Sequence, residues 1–424
     1  MLPTPSTTET NRDLIPAPPL LQERRRLRVC MLAYAFYESD VRIMQYARAL
    51  TQQGDIVDVI ALRRDSRFPE CEVLNGVNVH RIQSRIVDEK GLFAYAKRIM
   101  LFCLRSAVFL RRKHIEHPYD VVHVHNVPDF LVFSAAYPKW KGAAVILDIH
   151  DLLPELYASK FNVSHSSLLF KVLTVVERWS AACASHVIVA NHLWRDRLAA
   201  RSSQVDKCSV VRNHPDLDIF DPQALRTRKT NDKFILTYPG SLNWHQGLDV
   251  AIRAFARVAD QMLDAEFHIY GEGSAKPSLI KLTNELGVQD RVIFHHCLPS
   301  REIARVMATT DLAVEPKRAT SAFGNEALST KILEFMTLGV PVVASRTRSH
   351  AYYYDESIIT YYDFDDEAKL ADCILKLKRD STLCAELAQR AAVYASENSW
   401  QVRKGDYLRL VDSLVAAGVG WRIS

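Results

Sequence analysis

The stretch Glu315-Pro-Lys-Arg-Ala-Thr-Ser-Ala-Phe-Gly-Asn-Glu-Ala-Leu-Ser-Thr-Lys-Ile-Leu-Glu-Phe-Met-Thr-Leu-Gly-Val-Pro-Val-Val-Ala-Ser345 decides the fold. Asp311 to Val314 reads as the end of a buried strand, the polar Lys317 to Asn325 as a loop, and Ala327 to Leu338 has apolar residues at helical spacing. Gly339 stops that helix. The Val-Val pair within Pro341 to Ala344, bounded by proline and serine, reads as a second buried parallel strand. The unit is strand, loop, helix, strand.

In an open α/β sheet the loop and helix start of such a unit lie at the carboxyl edge of the strands, where these sheets bind ligands. Free amides of Ala327, Leu328 and Ser329 would face an anion there, reinforced by the helix dipole, and a diphosphate suits the position. On a single helix, Glu326 and Glu334 would be separated by roughly 12 Å of rise and about 80° of rotation. They would share one side and hold two ends of an elongated ligand. Each carboxylate accepts hydrogen bonds in pairs and can grip vicinal hydroxyls, one set on a sugar and the other on a ribose. An arbitrary pair at this spacing is more often two solvated helix residues; the flanking sequence favours the binding reading.

The pattern extends in both directions. Phe234 to Tyr238, Glu266 to Tyr270 and Arg291 to Phe294 read as strands, alternating with helices at Asp249 to Ala259 and Pro277 to Glu285. Upstream, Arg28 to Phe36, Ile56 to Leu62, Val121 to Val124, Ala144 to Leu147, His186 to Val189 and Cys208 to Val211 read as strands beside helical segments, the first at Val41 to Leu50. Two such alternations predict an α/β protein of two doubly wound parallel-sheet domains. Between them, Asn213 to Asp232 is rich in Asp, Pro, Asn and Thr and reads as connection. The expected organisation is an arm at 1–27, a first domain at 28–215, a linker at 216–232, a second domain at 233–398 and a terminal helical segment at 399–424.

Glu326-x7-Glu334 followed by Gly339-Val-Pro-Val-Val-Ala-Ser345 resembles the signature of retaining GT-B glycosyltransferases of family 4, the glycogen-synthase-like group 1 enzymes. Ile269-Tyr-Gly-Glu-Gly-Ser274, Glu285-Leu-Gly-Val-Gln-Asp-Arg-Val-Ile-Phe294, Tyr238-Pro-Gly-Ser-Leu-Asn243 and Leu147-Asp-Ile-His-Asp151 carry the resemblance over most of the chain. It implies two Rossmann-like domains facing a cleft, acceptor side first and donor side second, with the chain's end crossing back to the first. It also implies that Glu326 holds the transferred sugar, Glu334 the ribose, and that His150 faces the reacting sugar. In this family no protein nucleophile is thought to be needed. Positioning and charge stabilisation are then the protein's work.

Gly240-Ser-Leu-Asn-Trp-His-Gln-Gly247 reads as a second loop at a helix start, suited to donor phosphates. Many relatives place Arg and Lys where this chain has Ser241 and Gln246. Lys331 is the first choice to replace that charge, ahead of Lys317 and Arg318, for which a solvated basic loop is an equal reading. Gly271 and Gly273 allow close backbone approach to a ligand, and Glu272 between them is a ribose or base contact or a turn residue. Asp151 and Glu155 orient the acceptor or act as local caps. Tyr37, Glu38 and Asp40 stand where many relatives have a glycine-rich loop, which puts Glu38 and Asp40 on the acceptor side.

A formal charge of +5 over 424 residues does not argue for nucleic acid, and the composition is that of an ordinary soluble protein. The eight cysteines form no CxxC pair, so reduced thiols in a cytoplasm are expected. Asp216-Leu-Asp218 and Asp363-Phe-Asp365 read as linker and turn acids. His123-Val-His125 and His295-His296 lack a third ligand at suitable spacing and read as structural histidines. No metal and no cofactor are expected.

No run approaches the roughly 18 apolar residues of a membrane span. Leu92 to Lys113, however, is a basic amphipathic helix, with Leu92, Phe93, Ile99, Met100, Cys103, Leu104 and Leu110 on one face and Arg98, Arg105 and Arg112 opposite. Such a helix suits peripheral contact with an anionic membrane; packing of its apolar face on the sheet is the even alternative. The reading is a hexosyltransferase using a UDP or GDP sugar, with a glycan or lipid-linked saccharide acceptor in surface polysaccharide synthesis. A non-catalytic subunit that binds a nucleotide sugar or a partner enzyme is the alternative, and a same-fold epimerase ranks below it.

Overall fold

The structure, a computed structural model, describes residues 24–85, 92–161, 163–225 and 232–419. These residues form two compact units, one of 24–213 with 403–419 and one of 214–402.

The first unit is built on eight strands: β1 (Arg28–Ala33), β2 (Ile56–Arg63), β3 (Cys71–Leu74), β4 (Val77–Ser84), β5 (Val121–His125), β6 (Ala144–Ile149), β7 (His186–Val189) and β8 (Cys208–Val210), in the order β3-β4-β2-β1-β5-β6-β7-β8. Its central strands are mostly apolar and buried along nearly their whole length, as parallel strands covered by helices must be. Pairing is parallel except for the β3–β4 hairpin, which the sequence reading missed. Its signal is Asn75-Gly76, both with positive φ (50° and 81°), the pair that a tight hairpin turn demands.

Six helices follow in chain order: α1 (Val41–Gln52), α2 (Leu92–Glu116), α3 (Ala136–Trp140), α4 (Leu153–Phe161), α5 (Leu168–Cys183) and α6 (His192–Arg201). The steps β4 to β5, β5 to β6 and β6 to β7 all run the same way along the sheet. Right-handed crossovers therefore bring α2, the 3-10 segment Asp129–Ala135, α3 and α5 to one face. Both α2 and α5 pack against that 3-10 segment. The expected single apolar face of α2 is divided: Ile99, Cys103 and Leu110 are buried, while Met100 and Leu104 are exposed. The side chains of Leu92 and Phe93 lie outside the described positions.

The second unit carries β9 (Phe234–Pro239), β10 (Ala265–Tyr270), β11 (Val292–His295), β12 (Leu312–Glu315), β13 (Val342–Ser345) and β14 (Thr360–Tyr362), all parallel, in the order β11-β10-β9-β12-β13-β14. Its helices are α7 (Leu248–Val258), α8 (Lys276–Glu285), α9 (Ser300–Ala308), α10 (Ala322–Glu326), α11 (Thr330–Thr337), α12 (Arg348–Tyr353), α13 (Glu367–Arg379) and α14 (Ser381–Glu397), and α15 (Trp400–Val419) continues into the first unit. In the first unit the Tyr407 ring of α15 lies 4.2 Å from that of Tyr46.

Two boundary expectations change. Of the arm, residues 1–23 lie outside the described residues, but Leu27 is buried and Arg24 pairs with Asp55 at 2.7 Å, so the fold begins before Arg28. Of the linker, residues 226–231 lie outside the described residues. Residues before them belong to the second unit, where Phe220 is buried in the core with Met307 and Ile332, so apolar burial outweighs the turn-rich composition.

Candidate functional site

Strand order reverses between β9 and β12, so the loops leaving those neighbours open a crevice at the carboxyl edge. The loops after β9, β10 and β12 are joined by backbone bonds. Leu242 N donates to Glu272 O at 2.9 Å, Ala275 N to Leu242 O at 2.9 Å, and Arg318 N to His245 O at 3.0 Å.

The glycines make this joining possible. At Gly271, with φ +153°, a Cβ would lie 1.8 Å from the Gly240 carbonyl oxygen, and at Gly273 it would lie 2.3 Å from that of Leu242. The close approach that these glycines allow in the structure is of one loop's backbone to another's. Gly271→Ala must move backbone against backbone in an unfavourable conformation. It is expected to cost more than about 2 kcal/mol, read as a lower urea midpoint; a midpoint equal to wild type would contradict it.

Beneath the loop after β9 sits Lys331. Its Nζ lies 3.1 Å from Glu315 Oε2 and donates to Tyr238 Oη at 3.2 Å, 4.4 Å from that ring's centre. A Cβ on Gly240 would lie 3.3 Å from the amine, so Lys331 brings positive charge beside the turn that carries Ser241. Burial works against both charges, yet each holds the other ionised: Glu315 raises the ammonium of Lys331, and Lys331 keeps Glu315 below the usual carboxylate range. Burial pushes Tyr238 up to about 12.

Glu326 and Glu334 do not share a helix, which corrects the eight-residue geometry. Glu326 ends α10, and the chain extends through Ala327 (ψ 122°) and Ser329 (ψ 119°) before α11 begins. The cause is side-chain capture. Ala327 O accepts from Lys317 Nζ at 2.6 Å and from Ser349 Oγ at 3.2 Å, taking the carbonyl that a continuous helix would use. The amide of Ala327 is spent on Phe323 O, and Leu328 and the extended Ser329 precede the helix; its first-turn amides are those of Thr330, Lys331 and Ile332.

Glu326 is buried and accepts from Arg348 Nη1 at 2.8 Å. Arg348 begins α12 beyond β13, and its backbone N donates to Asn325 Oδ1 at 2.7 Å. The sequence reading missed it, for nothing local marks an arginine 22 positions away as a glutamate's partner. Burial pushes Glu334 up to about 7; Lys331 opposes this and Glu315 adds to it.

Other expected cations are committed elsewhere. Lys317 is buried on Ala327 O, while Arg318 is buried between Asp249 (2.7 Å) and Asp365 (3.0 Å) and stacks over Trp244, so the solvated-loop reading fails. Glu272 is exposed and pairs with Lys276 at 2.8 Å and His296 at 3.0 Å, hydrogen bonds that hold its carboxyl below the usual range. Ser241 and Gln246 bond weakly to each other at 3.3 Å.

In the first unit, His150 follows β6. Its backbone N donates to Asn126 Oδ1 at 3.1 Å, and its Nδ1 is buried without a hydrogen-bond partner among the described residues. Asn126 Nδ2 in turn binds Asp151 O at 2.7 Å and Asp129 Oδ1 at 2.9 Å. Glu155 is locked to Arg201 at 2.6 and 2.8 Å. Glu38 accepts from Arg81 Nε at 2.8 Å, and Asp40 caps α1 through Ile43 N at 3.1 Å, so both already have fold-building roles.

His123 and His125 do gain a third donor. Asp148, on the adjacent strand, brings three ligand atoms within 4.8 Å of one another, and both Nε2 atoms are buried without hydrogen-bond partners among the described residues. Strand pairing made this trio, which spacing along the chain did not reveal. Arg42 grips both Asp148 oxygens at 2.7 Å and holds that carboxyl, despite its burial, well below the usual range.

A model of the Glycosyl transferases group 1 family matches residues 222–394, and one of the Glycosyl transferase 4-like domain matches residues 39–214. The 2-deoxystreptamine glucosyltransferase of Streptomyces kanamyceticus is 24% identical over 323 residues, 72% of this chain and 80% of that protein. Among solved structures, sucrose-phosphate synthase from Thermosynechococcus elongatus superposes with a TM-score of 0.73 at 17% identity, covering 92% of this chain and 100% of that one. Anabaena Alr3699/HepE in complex with UDP and glucose gives 0.67 at 16%, covering 93% and 100%.

Proposed function

The chain belongs to the GT-B, family-4-like glycosyltransferases, and from that activity we propose a retaining, metal-independent hexosyltransferase that uses a UDP or GDP sugar. Its acceptor is a glycan or lipid-linked saccharide of surface polysaccharide synthesis, met in the cytoplasm with α2 touching an anionic membrane. The observation that carries the donor reading is the setting of Lys331 under the Gly240–Ser241 turn, at the switch point of the second sheet.

The diphosphate lies against the amides of Thr330 to Ile332 and the turn after β9, with Lys331 supplying the charge that Ser241 and Gln246 lack. Glu334 takes the ribose hydroxyls and Glu326, held by Arg348, takes the sugar. Leaving phosphate and acceptor hydroxyl meet on one face of the sugar, so the enzyme's task is orientation and charge stabilisation. The free state of all eight cysteines supports a reducing compartment. Proton NMR of the product's anomeric centre tests retention, and an inverted product overturns it; transfer that persists in EDTA is expected, and its loss overturns metal independence.

Glu334 gives the reading a pH signature. With its carboxyl raised to about 7, it is ionised above that pH and protonated below it, and only the ionised form accepts two hydroxyl hydrogens. Donor Kd is expected to rise roughly tenfold between pH 8 and pH 6, and Glu334→Gln to flatten the profile. Calorimetric titration at the two pH values decides it, and an unchanged wild-type Kd would contradict the role.

A further inference from the structure

Helix α5 is inverted relative to a surface helix. Its Glu177 and Ser180 are 0% exposed, with Glu177 paired to Arg201 at 2.6 Å, while Leu168 is 78% and Trp179 64% exposed, and Leu169, Val172 and Val175 are exposed between them. A helix that turns its polar groups inward and its large apolar groups outward needs an apolar surround. On the same face of the sheet, α2 adds outward Leu104 (60%) and Val108 (69%) with Met100 and Leu101. Phe133 of the intervening 3-10 segment and Trp140 of α3 are also exposed, which makes the apolar surface continuous across both helices.

The charges on these helices select the occupant. Lys97, Arg105, Arg111 and Arg112 on α2, and Lys171 and Arg178 on α5, are exposed; among the described residues the one exposed acid on either helix is Glu116. A second copy seated symmetrically would set cations against cations. A bilayer with anionic headgroups takes both parts of the surface, the apolar side chains at the acyl boundary and the cations among phosphates. No described helix is long and apolar enough to cross a membrane, so the contact is peripheral.

We propose that the α2–α5 face is a docking surface for an anionic lipid bilayer, with α5 as essential to it as α2. This deepens the peripheral reading above, but it rests on the first unit alone and is independent of the donor site. In flotation assays the full chain is expected to bind phosphatidylglycerol-containing vesicles roughly tenfold or more better than phosphatidylcholine vesicles, with the preference lost in high salt. The triple variant Leu168→Gln, Val172→Gln, Trp179→Gln should lose vesicle binding while keeping its circular dichroism spectrum and its hydrolysis of soluble donor. Equal binding to neutral vesicles, undiminished binding by the triple variant, or a wild-type dimer that the variant converts to monomer overturns the proposal. No donor hydrolysis by the wild-type chain, with its flotation intact, would instead count against the donor reading.

Discussion

Lys331→Met is expected to lower the stability of the second unit by about 3 kcal/mol, because it strands Glu315 as a buried charge. Glu315 is nearly inaccessible, its Oε2 is 3.1 Å from the ammonium, and its Oε1 has no hydrogen-bond partner among the described residues. Without Lys331 the carboxyl must either remain charged in a medium that solvates it poorly or take up a proton. Neighbouring Lys317 restrains the loss, since its charge favours the ionised form. The double variant Glu315→Leu, Lys331→Met removes both charges and is expected to recover much of the deficit. Urea unfolding of wild type, Lys331→Met, Glu315→Leu and the double variant measures the coupling; Lys331→Met within about 1 kcal/mol of wild type would contradict the arrangement.

Glu326→Ala separates in the opposite sense, with a large effect on rate and a small one on stability. Its partner Arg348 has a side chain 51% exposed, so the guanidinium left behind is hydrated and the cost stays below about 1 kcal/mol. In the proposed reaction, however, the carboxylate orients the sugar as charge develops at its anomeric carbon. Loss of one such group lowers kcat by about 10²- to 10³-fold. Arg348→Ala is expected to fall between wild type and Glu326→Ala, since it releases the carboxylate's orientation and leaves the group itself. Initial rates with matched unfolding midpoints check this; a destabilised Glu326→Ala with a normal kcat would make Glu326 a structural residue.

Features decided by residues near one another in the chain are legible in the sequence, and those decided by distant partners are not. Buried parallel strands are legible because runs of β-branched apolar residues mark them, as the valines do in Val121–His125 and Val342–Ser345, and the linking helices because their periodicity repeats. The break after Glu326 was not, since Ala327 and Leu328 are acceptable helix residues and the extension depends on Lys317 and Ser349 taking a carbonyl from 10 and 22 positions away. For the same reason Lys331 was legible as a cation but its counter-ion was not. Arg42, Asp148 and the two histidines of β5 meet only through strand order and a helix docked on the sheet. The hairpin at Asn75-Gly76 was legible and overlooked.

The central claim is that the second unit binds a nucleotide sugar and uses Glu326 to transfer its hexose. The most direct test is release and transfer from a panel of UDP and GDP sugars by wild type and Glu326→Ala, with EDTA present and with or without membrane lipid extract. Turnover of one donor by wild type, kept in EDTA, raised by lipid and lost in Glu326→Ala is the predicted result. Nucleotide binding without turnover of any donor, weakened by Glu334→Ala, would contradict catalysis and leave a chain that binds nucleotide sugars without transferring them.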